Sequence, residues 1–490
     1  MLPLAAAASS RRLGKIWNEV DALGRVHLLL SLLVTAALSV GSAAGAGEEY
    51  GLVLDAGSTG TRVRIYRWAE RSDLSKLPPD ITYIDNLKVR PGISEFADRL
   101  GDIGDHLRPL LDKAKNVVPS SAYSTTPIFM MATAGLRLID PVKGEAIFDE
   151  ARKILSNKTL CPFQFSAGDA RILSGEEEGM FTWISANYLI KYFGKNSPFS
   201  SSVGTMEMGG ASMQIAFIPE TDPLANKFEV DIPGDSQSYP LYTHSYLYYG
   251  ENYIAMRVRE FLASSSTNQG GRIMNPCMLK GDLLNTTVNS RAGYFQFQGS
   301  GNGTACMEVL RHYTAPAADD RCYPRPCAIG QIYQPKVPRD MVFYAIAAFV
   351  DAPTALNVIS ANGSITARNL QNAALTYCEK SIPLAMNMTG ASTSEVSTFC
   401  LEGLYFSMLL EESFGFDPNR AQVIVDDYID RQFIGWPMGA MVYAIKVANQ
   451  KSPGDCPAAN SCNPQEPLGK YYLSVLVLFL ILFSMQTRQS

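Results

Sequence analysis

The stretch GLVLDAGSTGTRVRIYRW, residues 51–68, decides the fold. An apolar strand ends in Asp55, a turn of small residues follows, and an alternating strand resumes at Thr61. That is the pattern of a β-hairpin. It recurs as TMEMGGASMQIAF, residues 205–217, with Glu207 in the place of Asp55 and a second glycine-rich turn. A duplicated hairpin carrying an acid and a small-residue turn predicts two similar α/β lobes that face each other. Each would offer one loop to a shared ligand.

Such loops suit phosphate. Glycine and other small residues let backbone N–H groups approach an anion closely. In the first loop Ser58, Thr59, Gly60 and Thr61 are the candidate phosphate ligands. Gly209, Gly210, Ala211 and Ser212 are their counterparts in the second. Asp55 and Glu207 end their strands where a carboxylate can hold a metal through its waters, as magnesium commonly requires. Gln214 can bind the same waters. Taken alone, either loop also reads as a plain hairpin turn; the pair points to a polyphosphate.

Two further pieces complete the set. ATAGLR, residues 132–137, follows the apolar strand PIFMM and adds Thr133 as another metal-water ligand. Arg137 is expected to pair with a carboxylate rather than touch phosphate. In ILSGEEEGMFTW, residues 172–183, Ser174 and Glu177 have capping-box spacing, so a helix starts there. The helix dipole accounts for Glu176 and Glu177. Glu178 precedes a glycine that adds no bulk and so leaves room for the loops' ligand to approach, and a carboxylate there can take a proton from an attacking water.

The chain of 490 residues is too long for one core, so two lobes are expected. A net charge of −5 gives no reason to propose nucleic acid as a partner. The apolar run from His27 to Ala46 has the length of a membrane helix and follows Arg11, Arg12, Lys15 and Arg25. Positive flanks stay cytosolic, which predicts a signal anchor; a cleaved signal peptide is the rival. A second run, Tyr471–Phe483, reads as a short membrane segment, a piece replaced by a lipid anchor, or a core helix. Between the runs lie five glycan acceptor motifs, at Asn157, Asn285, Asn302, Asn362 and Asn387. Eight of the nine cysteines follow Cys161, with spacing that looks paired: Cys277 with Cys306, Cys322 with Cys327, Cys378 with Cys400, and Cys456 with Cys462. Bridges persist in oxidising compartments, so the body is expected to be extracellular or lumenal, at the plasma membrane rather than the Golgi. A zinc site is the weaker alternative, because His is scarce and no CxxC pair occurs. Paired membrane helices often associate, so a homo-oligomer stays open.

Helical periodicity is expected around Val142–Asn157, Ser174–Tyr192, Phe343–Leu356, Leu401–Glu412 and Gly435–Asn449. From the second hairpin to about Arg339 the chain reads as loop-rich. The expected organisation is a cytosolic tail at 1–25, a signal anchor at 26–46, lobe I at 47–203 and lobe II at 204–431. A terminal helix at 432–452 returns to lobe I, a linker spans 453–470, and 471–485 is the second membrane or anchor segment.

The four pieces DAGSTGT, ATAGLR, SGEEEGMFTW and MEMGGAS, in this order, resemble the apyrase-conserved regions of the ecto-nucleoside triphosphate diphosphohydrolases. Trp436-Pro-Met-Gly439 resembles a fifth element, and YTHSYLYYG resembles the cell-surface branch. The resemblance implies a membrane-anchored, two-lobed α/β fold of the actin/hexokinase (ribonuclease H-like) type, with the active site between the lobes. It implies Ca2+ or Mg2+ as cofactor and hydrolysis of nucleoside tri- and diphosphates to monophosphates. Glu178 then matches the catalytic base, and Asp55, Thr133, Glu207, Gln214 and Trp436 match positions around the hydrated metal. Two departures stand out. Glu207 replaces the family's usual Asp, and Ile346 and Val350 stand where an aromatic commonly meets the base, so base stacking is expected to fall to Phe349 or Tyr405. The alternatives are another phosphoanhydride hydrolase of this fold (a lumenal nucleoside diphosphatase or an exopolyphosphatase), a sugar kinase, and a non-catalytic surface receptor.

Overall fold

Both acid-bearing hairpins form, and each lies inside its own sheet. In the computed structural model, which describes residues 47–450 apart from 71–75, 267–271, 290 and 316–320, β1 (Glu48–Gly57) turns into β2 (Gly60–Ala69). β2 pairs antiparallel with β3 (Thr82–Val89). β1 pairs parallel with β4 (Ile128–Ala132), and β4 with β5 (Ala170–Ile172), giving the order β3-β2-β1-β4-β5. Leu52, Val53 and Leu54 are fully buried. A central strand covered on both faces reads as a continuous apolar run, as β1 does.

The second hairpin is β6 (Gly204–Met208) and β7 (Ser212–Phe217), with Glu207 opposite Gln214. β8 (Lys227–Asp231) and β9 (Ser238–Leu247) extend it on one side. A small sheet of β10 (Ile273–Asn275), β11 (Leu283–Val288) and β12 (Arg291–Gly299) follows in sequence. β13 (Phe343–Ala347), β14 (Ser364–Ile365) and β15 (Val423–Val425) complete the seven-stranded order β14-β15-β13-β6-β7-β9-β8.

Helices Ile103–Val117 and Pro141–Ser156 cover the first sheet with an apolar face that includes Leu107, Leu110, Phe148 and Ala151. A separate core joins Val53 and Tyr66 of the first sheet to Ala216, Leu241 and Ile346 of the second. It is filled by helices Gly175–Leu189 and Trp436–Gln450. Both sheets therefore share the layer that carries Glu178.

The expected helices at Val142, Ser174, Leu401 and Gly435 form close to their predicted limits. Phe343–Leu356 does not. Its first five residues are β13, paired on both sides by β6 and β15, and only Asp351–Ala355 is an α-helix. A short apolar run without period-two alternation fits a fully buried strand as well as a helix. The stretch expected to be loop-rich instead holds β8 to β12 and helices Glu251–Ser265 and Gly303–Thr314.

Cys277–Cys306, Cys322–Cys327 and Cys378–Cys400 are bridged, and Cys161 is free and buried. The five acceptor asparagines are exposed. Among the described residues no helix is long and apolar enough to cross a membrane. The expected tail at 1–25, the anchors at 26–46 and 471–485, the linker at 453–470 and the Cys456–Cys462 pair lie outside the described residues.

Candidate active site

The two glycine turns meet. A Cβ built on Gly210 would stand 2.9 Å from the Ser58 hydroxyl and 3.3 Å from the Thr59 methyl of the other hairpin. Gly135, in the ATAG turn, lies as close: its Cβ would stand 2.8 Å from the Ser58 Cα. The parallel register of β1 on β4 sets Asp55 opposite Met131 and Ala56 opposite Ala132. Thr133 therefore follows beside the first turn. Together these elements wall a cleft of about 540 Å³. Asp55, Ser58, Thr59, Thr133, Glu178, Glu207, Gly209, Gly210, Ala211, Ser212 and Trp436 all line it.

Gly60 and Thr61, expected to bind phosphate, do not line it. Gly60 packs on β3, where a Cβ would meet the Val89 carbonyl at 2.6 Å, and the Thr61 hydroxyl lies 2.9 Å from His106 Nε2 in the core. The turn is shorter than its run of small residues suggests, because β2 begins at Gly60.

Glu178 lies in the first turn of its helix, behind the Ser174–Glu177 capping box. The residue is 6% exposed. Arg137 Nη2 donates to Glu178 Oε2 at 2.8 Å and to Ser212 Oγ at 3.1 Å, so Arg137 does pair with a carboxylate. Gln214 Nε2 reaches Glu178 Oε2 at 3.2 Å, Ser212 Oγ at 2.8 Å and Ser245 Oγ at 2.9 Å. With two donors already aimed at its oxygen, the Ser212 hydroxyl is left to donate its proton outward. Gln214 itself lies behind the cleft wall, and its Oε1 is buried with no hydrogen-bond partner. The Glu207 carboxylate accepts from the Thr182 hydroxyl on the same helix as Glu178.

Burial pushes the Glu178 carboxyl up, and the Arg137 guanidinium opposes this. Burial also raises Glu207, and the Glu178 charge adds to it. Asp55 is raised by burial against the pull of Arg62, Arg64 and Lys88. Three buried carboxyls with raised proton affinity around one cleft mark a place where a cation or a proton is wanted.

Gly179 has a different reason from the expected one. A Cβ there would stand 2.4 Å from the Thr243 hydroxyl of β9, and on Gly175 it would stand 2.2 Å from Ser245 Cβ. Residues four apart share one helix face. The two glycines let the helix lie against β9; they do not open space for a ligand.

Phe349 and Tyr405, expected to stack on a base, are both in the core. Phe349 is 2% exposed and packs on Phe406 with ring centroids 4.8 Å apart. Tyr405 is fully buried and donates its hydroxyl to the Tyr249 carbonyl at 2.8 Å. Neither lines the cleft. Beyond the buried strand β13 the Phe349 ring turns inward, while Ala348 and Asp351 line the cleft.

The cleft also carries cations outside the expected set. Arg62, Arg64, Lys88 and Arg90 line it, with Arg62 3.6 Å from Asp55 and the Arg64 guanidinium 3.8 Å from the Phe433 ring centroid. Arg62 and Arg64 stand two apart on a strand that leaves the first turn, and so share a face. That signal was available. Asp427, which accepts the Ala347 N–H at 2.7 Å, gave none. Among the described residues no three His, Cys, Asp or Glu side chains group closely enough to hold a metal directly.

Comparison with known proteins gives the same direction. The chain is 30% identical over 424 residues to ectonucleoside triphosphate diphosphohydrolase 8 of Gallus gallus, covering 81% of this chain and 83% of that protein. It is 27% identical over 431 residues to nucleoside-diphosphatase mig-23 of Caenorhabditis elegans, covering 81% and 77%. In fold it is similar to the nucleoside triphosphate hydrolase structure from Neospora caninum, with a TM-score of 0.61 at 14% identity, over 87% of this chain and 98% of that one. Residues 43–456 match the family model described as GDA1/CD39 (nucleoside phosphatase), and the chain belongs to that family.

Proposed function

We propose that the chain hydrolyses nucleoside tri- and diphosphates to monophosphates, releasing phosphate from the end of the polyphosphate. The observation that carries this reading is that both glycine turns and Glu178 line one cleft. The backbone N–H groups of residues 58–59 and 210–212 bind the terminal phosphates, while the Gly209 N–H closes the second turn on the Ser212 carbonyl at 2.9 Å, and Arg62, Arg64, Lys88 and Arg90 neutralise the tail. Glu178 accepts the proton of the attacking water, which the Ser212 hydroxyl orients. Arg137 and Gln214 keep Glu178 and Ser212 in register. Phosphoryl transfer needs positioning and charge neutralisation more than covalent chemistry from the protein.

A hydrated Ca2+ or Mg2+ fits the donor set. Asp55, Thr133 and Glu207 offer hard oxygens from the cleft wall, with Trp436 alongside, while Gln214, expected in the same set, stays behind the wall with its Oε1 unpartnered. These residues would hold the ion through its waters; when bound, it neutralises phosphate charge. Glu207 keeps its extra methylene by leaning on Thr182.

The test is phosphate release by purified full-length protein. Glu178→Gln is expected to lower release from ATP by at least about a hundredfold, as for loss of a general base, with nucleotide binding retained. Chelator is expected to abolish release by the parent enzyme. Full activity of the variant would refute the role. A lumenal nucleoside diphosphatase is the second reading, favoured by the likeness to the Caenorhabditis protein, and would hydrolyse ADP but not ATP.

We place the catalytic body outside the cytosol, anchored at the plasma membrane. Three bridges and five exposed acceptor asparagines support a non-cytosolic body, and the anchor rests on the apolar run from His27 to Ala46 in the sequence. Glycosidase treatment of the protein from its native host is expected to increase its gel mobility; an unchanged band would count against it.

A further inference from the structure

A cavity of about 700 Å³ shares no wall residue with the phosphate cleft. That volume suits a small molecule. Helix Glu251–Ser265 lines it through Val258, Arg259 and Ala255, which lies three and four residues before the other two and so on their face. The remaining apolar wall is Met278, which follows β10, Leu283 and Leu284 of β11, and Leu401 of helix Phe399–Met408. Among the described residues no aromatic ring lines the cavity. Such a wall fits a flexible aliphatic chain better than a flat base or ring.

Arg259 is the one cation on this wall, and its charge is unmet. Among the described residues no acceptor stands within hydrogen-bond or ion-pair distance of its guanidinium. Burial lowers its proton affinity, and the charge of Glu260 is what opposes that. The Glu260 carboxylate itself accepts the Asn289 N–H at 3.2 Å. Asp282 also lines the cavity, but its carboxylate accepts the Leu283 N–H at 2.8 Å and makes no ion pair with Arg259. Ser397 and Thr398 donate their hydroxyl protons to the Thr393 and Glu395 carbonyls. An arginine keeps its proton under all ordinary conditions, and a half-buried cation without a partner is costly. The cavity therefore joins an apolar wall to a charged donor that a ligand can satisfy.

We infer that this cavity binds an aliphatic carboxylate, with the acid on the Arg259 guanidinium and the hydrocarbon on Val258, Met278, Leu283, Leu284 and Leu401. The inference does not rest on the proposed nucleotide hydrolysis. The fork of a guanidinium matches a carboxylate with two parallel hydrogen bonds. Hydrocarbon laid on the apolar wall adds affinity with length, by roughly two- to fourfold per methylene. Two sources share this chemistry: a short acid free in solution and a fatty acid leaving a membrane.

The experiment titrates octanoate into the full-length protein in a non-ionic detergent by calorimetry, with the heat of detergent alone subtracted. One saturable site is expected, at least about tenfold tighter than for octanol, the size of a charge-assisted hydrogen bond. Arg259→Met keeps the apolar stem and is expected to bind octanoate no better than octanol, whereas Arg259→Lys keeps a preference for the acid. Leu283→Asp, at an exposed position on the rim, sets a like charge beside the ligand and is expected to weaken octanoate as well. It reports even where an Arg259 variant folds poorly. Octanoate is expected to stay bound at a saturating concentration of a nonhydrolysable ADP analogue. Affinity that stops rising near octanoate identifies the free acid, and continued gain to hexadecanoate presented in phosphatidylcholine vesicles identifies the membrane source. The inference is overturned by the absence of a saturable site, by equal affinity in the parent and Arg259→Met, or by displacement with the analogue, which would put the acid on the cations of the phosphate cleft.

Discussion

Arg137 and Glu178 form a buried pair whose charges control each other. The guanidinium lowers a carboxyl that burial would otherwise raise further. Removing it therefore raises the proton affinity of the group proposed as base. Arg137→Met is expected to move the acid limb of the kcat/KM profile upward by about one pH unit or more, because that limb reports the base in the free enzyme. An unchanged limb would mean that Glu178 is not the titrating group. Much of this residue-scale site was legible beforehand. Asp55, Ser58, Thr133, Glu178, Glu207 and Ser212 stand at strand ends, turns or a cap, where local chemistry announces itself. Lys88, Arg90 and Asp427 do not: each is an ordinary surface-type residue until the register of β3, or the loop after β15, brings it to the cleft. Gly179 is conspicuous in the sequence but its cause is not, because that cause is a hydroxyl on a strand more than sixty residues away.

The elements that matter most are the two helices in the shared core. Helix Gly175–Leu189 lies on β9 through Gly175 and Gly179, and helix Trp436–Gln450 crosses it at Gly439. A Cβ on Gly439 would stand 1.8 Å from the Phe181 carbonyl oxygen. Backbone cannot yield as a flexible side chain does, so Gly439→Ala forces the helices apart. The cost is expected to reach about 1–3 kcal/mol, as for overpacked cores, seen as a Tm lower by a few degrees. Gly168→Ala, with nothing within 4 Å, is the matched control and is expected to leave Tm unchanged. Helix existence was readable from periodicity and the capping box. The strand at Phe343–Ala347 was not, because a buried parallel strand has no polar face to betray its period. That misreading moved Phe349 from the core to an expected base site; Tyr405 sits in a helix that forms as expected but turns its ring inward.

Across the whole molecule, buried carboxyls give stability a definite dependence on pH. Glu402 binds its proton up to about 8 in the folded state and releases it near 4.5 when unfolded. The folded form thus holds more protons between those values, and stability falls as pH rises through that window. Glu402→Gln is expected to flatten the fall of Tm between pH 5 and 8. Glu178 and Glu207, raised for the same reason, keep part of the slope. A curve as steep as the parent's would mean that Glu402 is ionised in the native protein. The glycine crossings have one more consequence at this scale. Because the Thr243 hydroxyl and Ser245 Cβ of β9 seat in the notches left by Gly179 and Gly175, the Glu178 helix is keyed to β9, and the proton acceptor travels with the adjoining β7, which bears Ser212 and Gln214. Any breathing that admits substrate or frees phosphate has to flex elsewhere in the chain. Gating and proton abstraction would then be separable, and a mutation could slow turnover by stiffening the entrance while leaving the chemical step untouched.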